Sequence, residues 1–127
     1  MAVTGIHHIA LKCGSKEKFD KTVAFYKDLL GLSVKRAWNG AVMLDTGAGL
    51  LEIFEEGDEV PAMGQYRHVA FAVTNPDPMI EAIRAAGYAI TMECTDIVIP
   101  SNPPYPARIA FCIGELSEEI ELFCEKS

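Results

Sequence analysis

The sequence predicts an α+β domain of two tandem β-α-β-β-β modules, whose strands make a curved mixed sheet around a cavity. Three observations carry that prediction. The phrase His8-Ile9-Ala10-Leu11 returns as His68-Val69-Ala70-Phe71, and Leu51-Glu52-Ile53-Phe54 returns as Ile120-Glu121-Leu122-Phe123. Each histidine phrase alternates with period two and is followed by apolar residues at helical spacing that end at a glycine. The two repeats also keep step. Sixty positions separate His8 from His68 and sixty-nine separate Glu52 from Glu121. Both halves therefore share one plan, with a small insertion in the second.

Residues 6–13 alternate as a half-buried strand, with His8, Ala10 and Lys12 on one face and His7, Ile9, Leu11 and Cys13 on the other. Ser15 opens a helix in which Phe19, Val23, Tyr26 and Leu30 recur until Gly31, a natural stop. Residues 32–38, 41–46 and 50–56 read as a three-strand meander, because Asn39-Gly40 and Gly47-Ala48-Gly49 are turn signals between apolar runs. Residues 57–65, with Pro61 and Gly64, suit a linker. The modules thus span about residues 4–57 and 65–127 of a single domain.

The second module restarts with a strand over 66–74. Asn75-Pro76-Asp77-Pro78 then opens a helix that runs through Ile80, Ile83 and Arg84 to Gly87. Strands follow over 88–94, 107–113 and 119–124. Between the first two of these, residues 96–106 carry Pro100, Pro103, Pro104 and Pro106 and are expected to form an ordered loop beside the site.

Alternation places Glu52, Phe54 and Glu56 on one face of their strand, and Glu121 and Phe123 on one face of theirs. A carboxylate inside an apolar run is expensive to desolvate unless it faces a partner. The histidines of the first strands are the natural partners. Two imidazoles and two carboxylates form a ligand set for a divalent ion such as nickel, zinc, cobalt or manganese. His8, Glu52, His68 and Glu121 are the expected ligands. Taken singly, a strand histidine is more often structural and a strand glutamate more often solvated; the duplication is what favours the metal site. His7 is set aside because alternation sends it to the far face. Trp38, Phe54, Met92 and Phe111 are candidate lining for an apolar substrate pocket, for which core packing is an equal explanation.

Composition bounds the function from the other side. A formal net charge of −7 repels phosphate backbones, and the basic residues are scattered without aromatic interleaving, so nucleic acid is not an expected partner. No apolar run approaches the length of roughly 20 residues needed to span a bilayer. The four cysteines show no C-x-x-C spacing, and the N-terminus lacks a signal-peptide pattern, so a cytoplasmic protein with reduced thiols is expected.

Nearly the whole chain resembles the vicinal oxygen chelate superfamily and, within it, glyoxalase I (lactoylglutathione lyase). The residues that carry the resemblance are the His8 strand, Phe25-Tyr26 with Leu30-Gly31-Leu32 at the helix end, the Leu-Glu-Ile-Phe strand, the His68 strand and the closing Ile-Glu-Leu-Phe. It implies the glyoxalase/bleomycin resistance/dioxygenase fold, with His8, Glu52, His68 and Glu121 at the four metal-ligand positions. Extradiol dioxygenases and fosfomycin resistance proteins resemble a two-histidine, one-carboxylate pattern, and methylmalonyl-CoA epimerases usually carry glutamine at the position of Glu52. Bleomycin-binding relatives lack the metal set.

The implied activity is a lyase or isomerase reaction. A proton moves between adjacent carbons of an α-hydroxycarbonyl compound or hemithioacetal through an enediolate, with Glu121 as principal base and Glu52 as its counterpart. The alternatives are a methylmalonyl-CoA epimerase-like enzyme and a non-catalytic protein that binds an antibiotic or other small molecule. The resemblance also implies a homodimer. Two departures bear on the substrate. Lys12 and Glu56 stand where bacterial glyoxalase I usually has an arginine and an asparagine that help hold the glutamyl end of glutathione, and Glu56 would repel that carboxylate.

Overall fold

The computed structural model describes residues 6–57 and 67–126, and the chain divides into two compact units, Met1–Pro61 and Ala62–Ser127. Unit 1 contains β1 (His8–Lys12), α1 (Lys16–Ala24), a π turn (Phe25–Leu29), β2 (Ser33–Trp38), β3 (Ala41–Asp45) and β4 (Leu50–Phe54). Unit 2 contains β5 (His68–Ala72), α2 (Pro76–Ala85), β6 (Ile90–Ile99), β7 (Tyr105–Ile113) and β8 (Glu119–Glu125). Each unit is thus one β-α-β-β-β module around a four-stranded mixed sheet. The strand orders are β1-β4-β3-β2 and β5-β8-β7-β6. In both, the first strand pairs in parallel with the last while the meander is antiparallel.

Local chemistry explains the helix starts. The Ser15 hydroxyl accepts a hydrogen bond from the Lys18 N–H at 3.1 Å, and the Asn75 side chain accepts from the Asp77 N–H at 3.1 Å, with Pro76 at the first helical position. Each helix covers one face of its own sheet. Thr22, Phe25 and Tyr26 are buried in unit 1, as are Leu44, Leu51 and Ile53; Ile80 and Ile83 are buried in unit 2, as are Ile120, Leu122 and Cys112. Burying each large aliphatic side chain is worth about 1.5–3 kcal/mol, so this face supplies the stability and leaves the other face available to polar groups.

Three sequence expectations are corrected. The first helix changes to i→i+5 bonding over its last turn, where the Leu30 N–H donates to the Phe25 carbonyl at 3.2 Å. The strand expected over 66–74 is shorter at its C-terminal end, and the remainder of the 57–65 linker beyond Gly57 lies outside the described residues. The loop expected over 96–106 is mostly strand. β6 extends to Ile99 and β7 begins at Tyr105; Pro100, Pro103 and Pro104 fall at the hairpin tip, where no ladder donor is needed, and Pro106 stands near the start of β7 opposite Val98 of the edge strand β6.

In unit 2, Arg108 of β7 ties the first turn of α2 to the sheet. Its guanidinium donates to both carboxylate oxygens of Asp77 at 2.8 and 2.7 Å and to Asp96 of β6 at 3.2 Å, and the Lys126 ammonium also reaches Asp96 at 2.8 Å. Arg108 holds the Asp77 carboxyl below the ordinary carboxylate value, and Lys126 with Arg108 does the same for Asp96. Both folded values therefore lie below the unfolded ones. The stabilisation is complete above the ordinary aspartate range and fades as pH falls through the depressed values. The stability gap between wild type and Arg108→Met is expected to be largest at neutral pH and to narrow as pH falls below the ordinary aspartate value and through the depressed ones, as checked by urea melts across pH. A gap independent of pH would assign the effect of Arg108 to packing alone.

Candidate metal centre

Register builds the same half-site twice. In the parallel pair β1–β4, Ala10 lies opposite Glu52; in β5–β8, Ala70 lies opposite Glu121. Each histidine sits two residues before that alanine and so on the same face. The small alanine leaves room for the carboxylate to lean toward the imidazole. His8 Nε2 lies 3.5 Å from Glu52 Oε1, and His68 Nε2 lies 3.2 Å from Glu121 Oε1. Among the described residues, Glu52 and Glu121 are the buried carboxylates, each only 9 % exposed. A carboxyl group shielded this far from water needs a polar partner, and the imidazole supplies it.

The histidine rings themselves are about two-fifths exposed. Each pair therefore presents one imidazole nitrogen and one carboxylate at the open side of its sheet. This donor chemistry fits a divalent ion of the nickel, zinc, cobalt or manganese type. Among the described residues, no three histidine, cysteine or acidic side chains gather into a metal-sized cluster; each module brings one histidine to one buried glutamate.

The pocket residues expected from sequence fall on these faces. Opposite pairs share a face, which puts Lys12, Phe54, Ala41 and Trp38 in one row and Ala10, Glu52, Met43 and Arg36 in the next. Trp38 stands edge-on to Phe54 with ring centroids 6.4 Å apart. Both, with Glu56, Gly14 and Ser15, line an open groove of about 510 Å³. Lys12 is held against Gly57, which has φ +136° and where an added Cβ would fall 2.5 Å from the Lys12 Cβ. In unit 2, Phe111 lies opposite Glu121 and Met92 opposite Phe111, and the Phe111 ring meets His68 edge-on at 5.3 Å.

Sequence reasoning passed over three residues. Arg36 shares the Glu52 face and donates to the Met43 sulfur at 3.1 Å; stepping back two positions from Trp38 along the strand would have found it. His7 was assigned to the far face, yet its Nδ1 lies 2.9 Å from His8 Nδ1. It precedes β1, so strand alternation does not govern it. Glu119 lies opposite His68 in the register, with Oε1 3.9 Å from His68 Nδ1, where unit 1 places Leu50 opposite His8.

The family model for the Glyoxalase/Bleomycin resistance protein/Dioxygenase superfamily matches residues 5–101. The chain belongs to that superfamily. The match includes the His8, Glu52 and His68 strands and stops before β8 and Glu121. The superfamily contains many enzymes as well as non-catalytic resistance proteins; its members generally use a divalent metal, typically bind small molecules and typically form dimers.

Among solved structures, a putative glyoxalase family protein from Bacillus anthracis is similar with TM-score 0.73 at 18 % identity, covering 99 % of this chain and 98 % of that one. The fosfomycin resistance protein FosX from Listeria monocytogenes aligns with TM-score 0.73 at 19 % identity over 98 % of this chain and 96 % of that one. Lactoylglutathione lyase from Agrobacterium tumefaciens aligns with TM-score 0.67 at 20 % identity over 97 % and 95 %. Likeness at these identities establishes the glyoxalase-type fold. No curated protein matches the sequence significantly. Among the described residues, no helix is long and apolar enough to cross a membrane.

Proposed function

We propose that this chain is a metal-dependent lyase or isomerase of the glyoxalase I type, moving a proton between adjacent carbons of an α-hydroxycarbonyl compound or hemithioacetal. The observation that carries the reading is the duplicated half-site, a buried carboxylate facing one imidazole Nε2 at 3.5 Å in unit 1 and 3.2 Å in unit 2. In this reading the two modules act as one domain, and His8, Glu52, His68 and Glu121 hold the ion, either within one chain or across a homodimer. The thiols of the described structure form no disulfide, which suits the cytoplasm.

When bound, a divalent ion supplies Lewis acidity, lowering the cost of negative charge on the adjacent oxygens of the substrate. The protein does the rest. Glu121 takes the C–H proton. Glu52, its symmetry mate, takes up the hydroxyl proton of the same carbon and delivers it to the neighbouring carbon, and Glu121 gives its proton to that carbon's oxygen, so both carboxylates are restored. Burial suits both to that work, since excluding water strengthens each electrostatic contact with the reacting atoms. Trp38 and Phe54 in unit 1, with Phe111 and Met92 in unit 2, give apolar flanks that exclude water, and Lys12 offers a cation to an anionic substrate group. The test is metal analysis of the purified protein followed by solvent deuterium exchange on candidate α-hydroxycarbonyl compounds. Bound metal without exchange would favour the resistance-type binding protein, and exchange confined to an acyl-CoA substrate would favour the epimerase.

Glu56 sets an expectation about the thiol. It is exposed in the groove beside Phe54 and Trp38, where an acidic side chain repels the glutamyl carboxylate of glutathione. Turnover of the glutathione hemithioacetal of methylglyoxal is expected to be poor, with Glu56→Asn improving kcat/KM about tenfold, the equivalent of about 1.4 kcal/mol. Wild-type turnover in the range of good enzymes, roughly 10–1000 per second, would refute the electrostatic argument.

A further inference from the structure

We infer that the two proposed ligand histidines are oriented by different outer partners, His7 for His8 and Glu119 for His68. This rests on the metal reading above. In both modules Nε2 is the nitrogen turned toward the buried carboxylate, at 3.5 Å for His8 and 3.2 Å for His68. Nδ1 is thereby left to a second group. For His8 that group is the His7 imidazole, 2.9 Å away Nδ1 to Nδ1, with the rings edge-on at 84° and centroids 5.2 Å apart. For His68 it is the Glu119 carboxylate, at 3.9 Å from Nδ1, on a side chain 40 % exposed and so able to close the remaining ångström by rotation.

The chemistry of the contact fixes the tautomer. An imidazole that gives Nε2 to a metal carries its hydrogen on Nδ1, which needs an acceptor to fix the ring's orientation. His7 supplies a neutral ring nitrogen. Glu119 supplies an anionic oxygen, the stronger acceptor. The difference is written in the register. Glu119 occupies the position that Leu50 holds in unit 1, and Leu50 has no acceptor to offer. The first module meets the need from the residue preceding its strand. His7 and Glu119 are thus positioning residues that act through His8 and His68.

The test is metal affinity, read by competition of zinc and cobalt against a chromogenic chelator, with the cobalt d–d spectrum as the second readout. Glu119→Leu copies the residue of unit 1 and is expected to weaken affinity about 10–100-fold, while Glu119→Gln, which keeps an acceptor and loses only the charge, recovers most of it. His7→Phe keeps the edge-on ring and removes the nitrogen, and is expected to cost about tenfold with an altered cobalt spectrum. His7→Gln restores an acceptor and is expected to recover affinity. Wild-type protein that binds neither zinc nor cobalt overturns the metal reading and this inference together. Wild-type protein that binds, alongside Glu119→Leu and His7→Phe that bind equally well with unchanged spectra, overturns only the outer-partner assignment. Equal losses in Glu119→Leu and Glu119→Gln also overturn it, since they would assign the effect of Glu119 to net charge.

Discussion

His68→Ala is expected to abolish metal uptake and lower kcat/KM by at least about a thousandfold, while the circular dichroism spectrum stays that of the folded protein. The loss is large because the proposed ligand nitrogen and the partner of Glu121 are one atom, His68 Nε2 at 3.2 Å. The fold survives because the histidine lies on the open side of the sheet, away from the Ile80, Ile83, Ile120 and Leu122 core. Glu81→Gln, on an exposed part of α2, removes a carboxylate without touching the half-site and is the control. The check is metal stoichiometry by elemental analysis beside dichroism and turnover. If His68→Ala retains a full equivalent of metal, His68 is not a ligand, and a satisfied structural pair with Glu121 is what remains.

The second large effect is a recovery. His8→Ala and His68→Ala proteins are each expected to be inactive, and a mixture allowed to exchange subunits is expected to regain activity if half-sites pair between chains. Each mixed dimer would then hold one intact site and one doubly damaged one. With random exchange of equal amounts, half the dimers are mixed and about a quarter of wild-type activity returns. A homodimer that never recovers after verified exchange would place both half-sites in one chain. Sedimentation as a monomer at micromolar concentration would remove the dimer itself.

The fold was legible because the repeat is short, apolar and periodic. His8-Ile9-Ala10-Leu11 and its copy define the opening strands, the glycines after each helix mark where it ends, and Asn39-Gly40 marks the turn between β2 and β3. Alternation alone set Phe54 on the face of Glu52, whereas the places of Trp38, Met92 and Phe111 beside Glu52 and Glu121 follow from the register. What escaped lies at element ends. His7 sits one residue ahead of β1, where period two has no hold, and its contact with His8 is a side-chain rotation that pattern cannot express. The prolines between 100 and 106 signalled a long loop, but proline forbids only a donated ladder bond, and at the tip of an edge-strand hairpin few such bonds are required. Glu119 was read as strand without a role, because its meaning comes from the residue across the ladder, His68, and cross-strand partners are fixed only by register.

The parallel pairing of first strand with last has a consequence for how the protein is made. His8 and Glu52 are forty-four positions apart, and His68 and Glu121 fifty-three, so each half-site joins the two ends of its module. Contacts of that separation form late, after the intervening helix and hairpins have shortened the loop to be closed. On the ribosome, the first module completes its nitrogen–carboxylate pair as soon as β4 clears the exit tunnel, whereas the second waits for β8. Until β8 is made, the nascent chain therefore lacks the second carboxylate and, in the proposed metal reading, would offer a passing ion only part of the ligand set. On that reading, high-affinity capture would become available only to a chain whose every strand has docked.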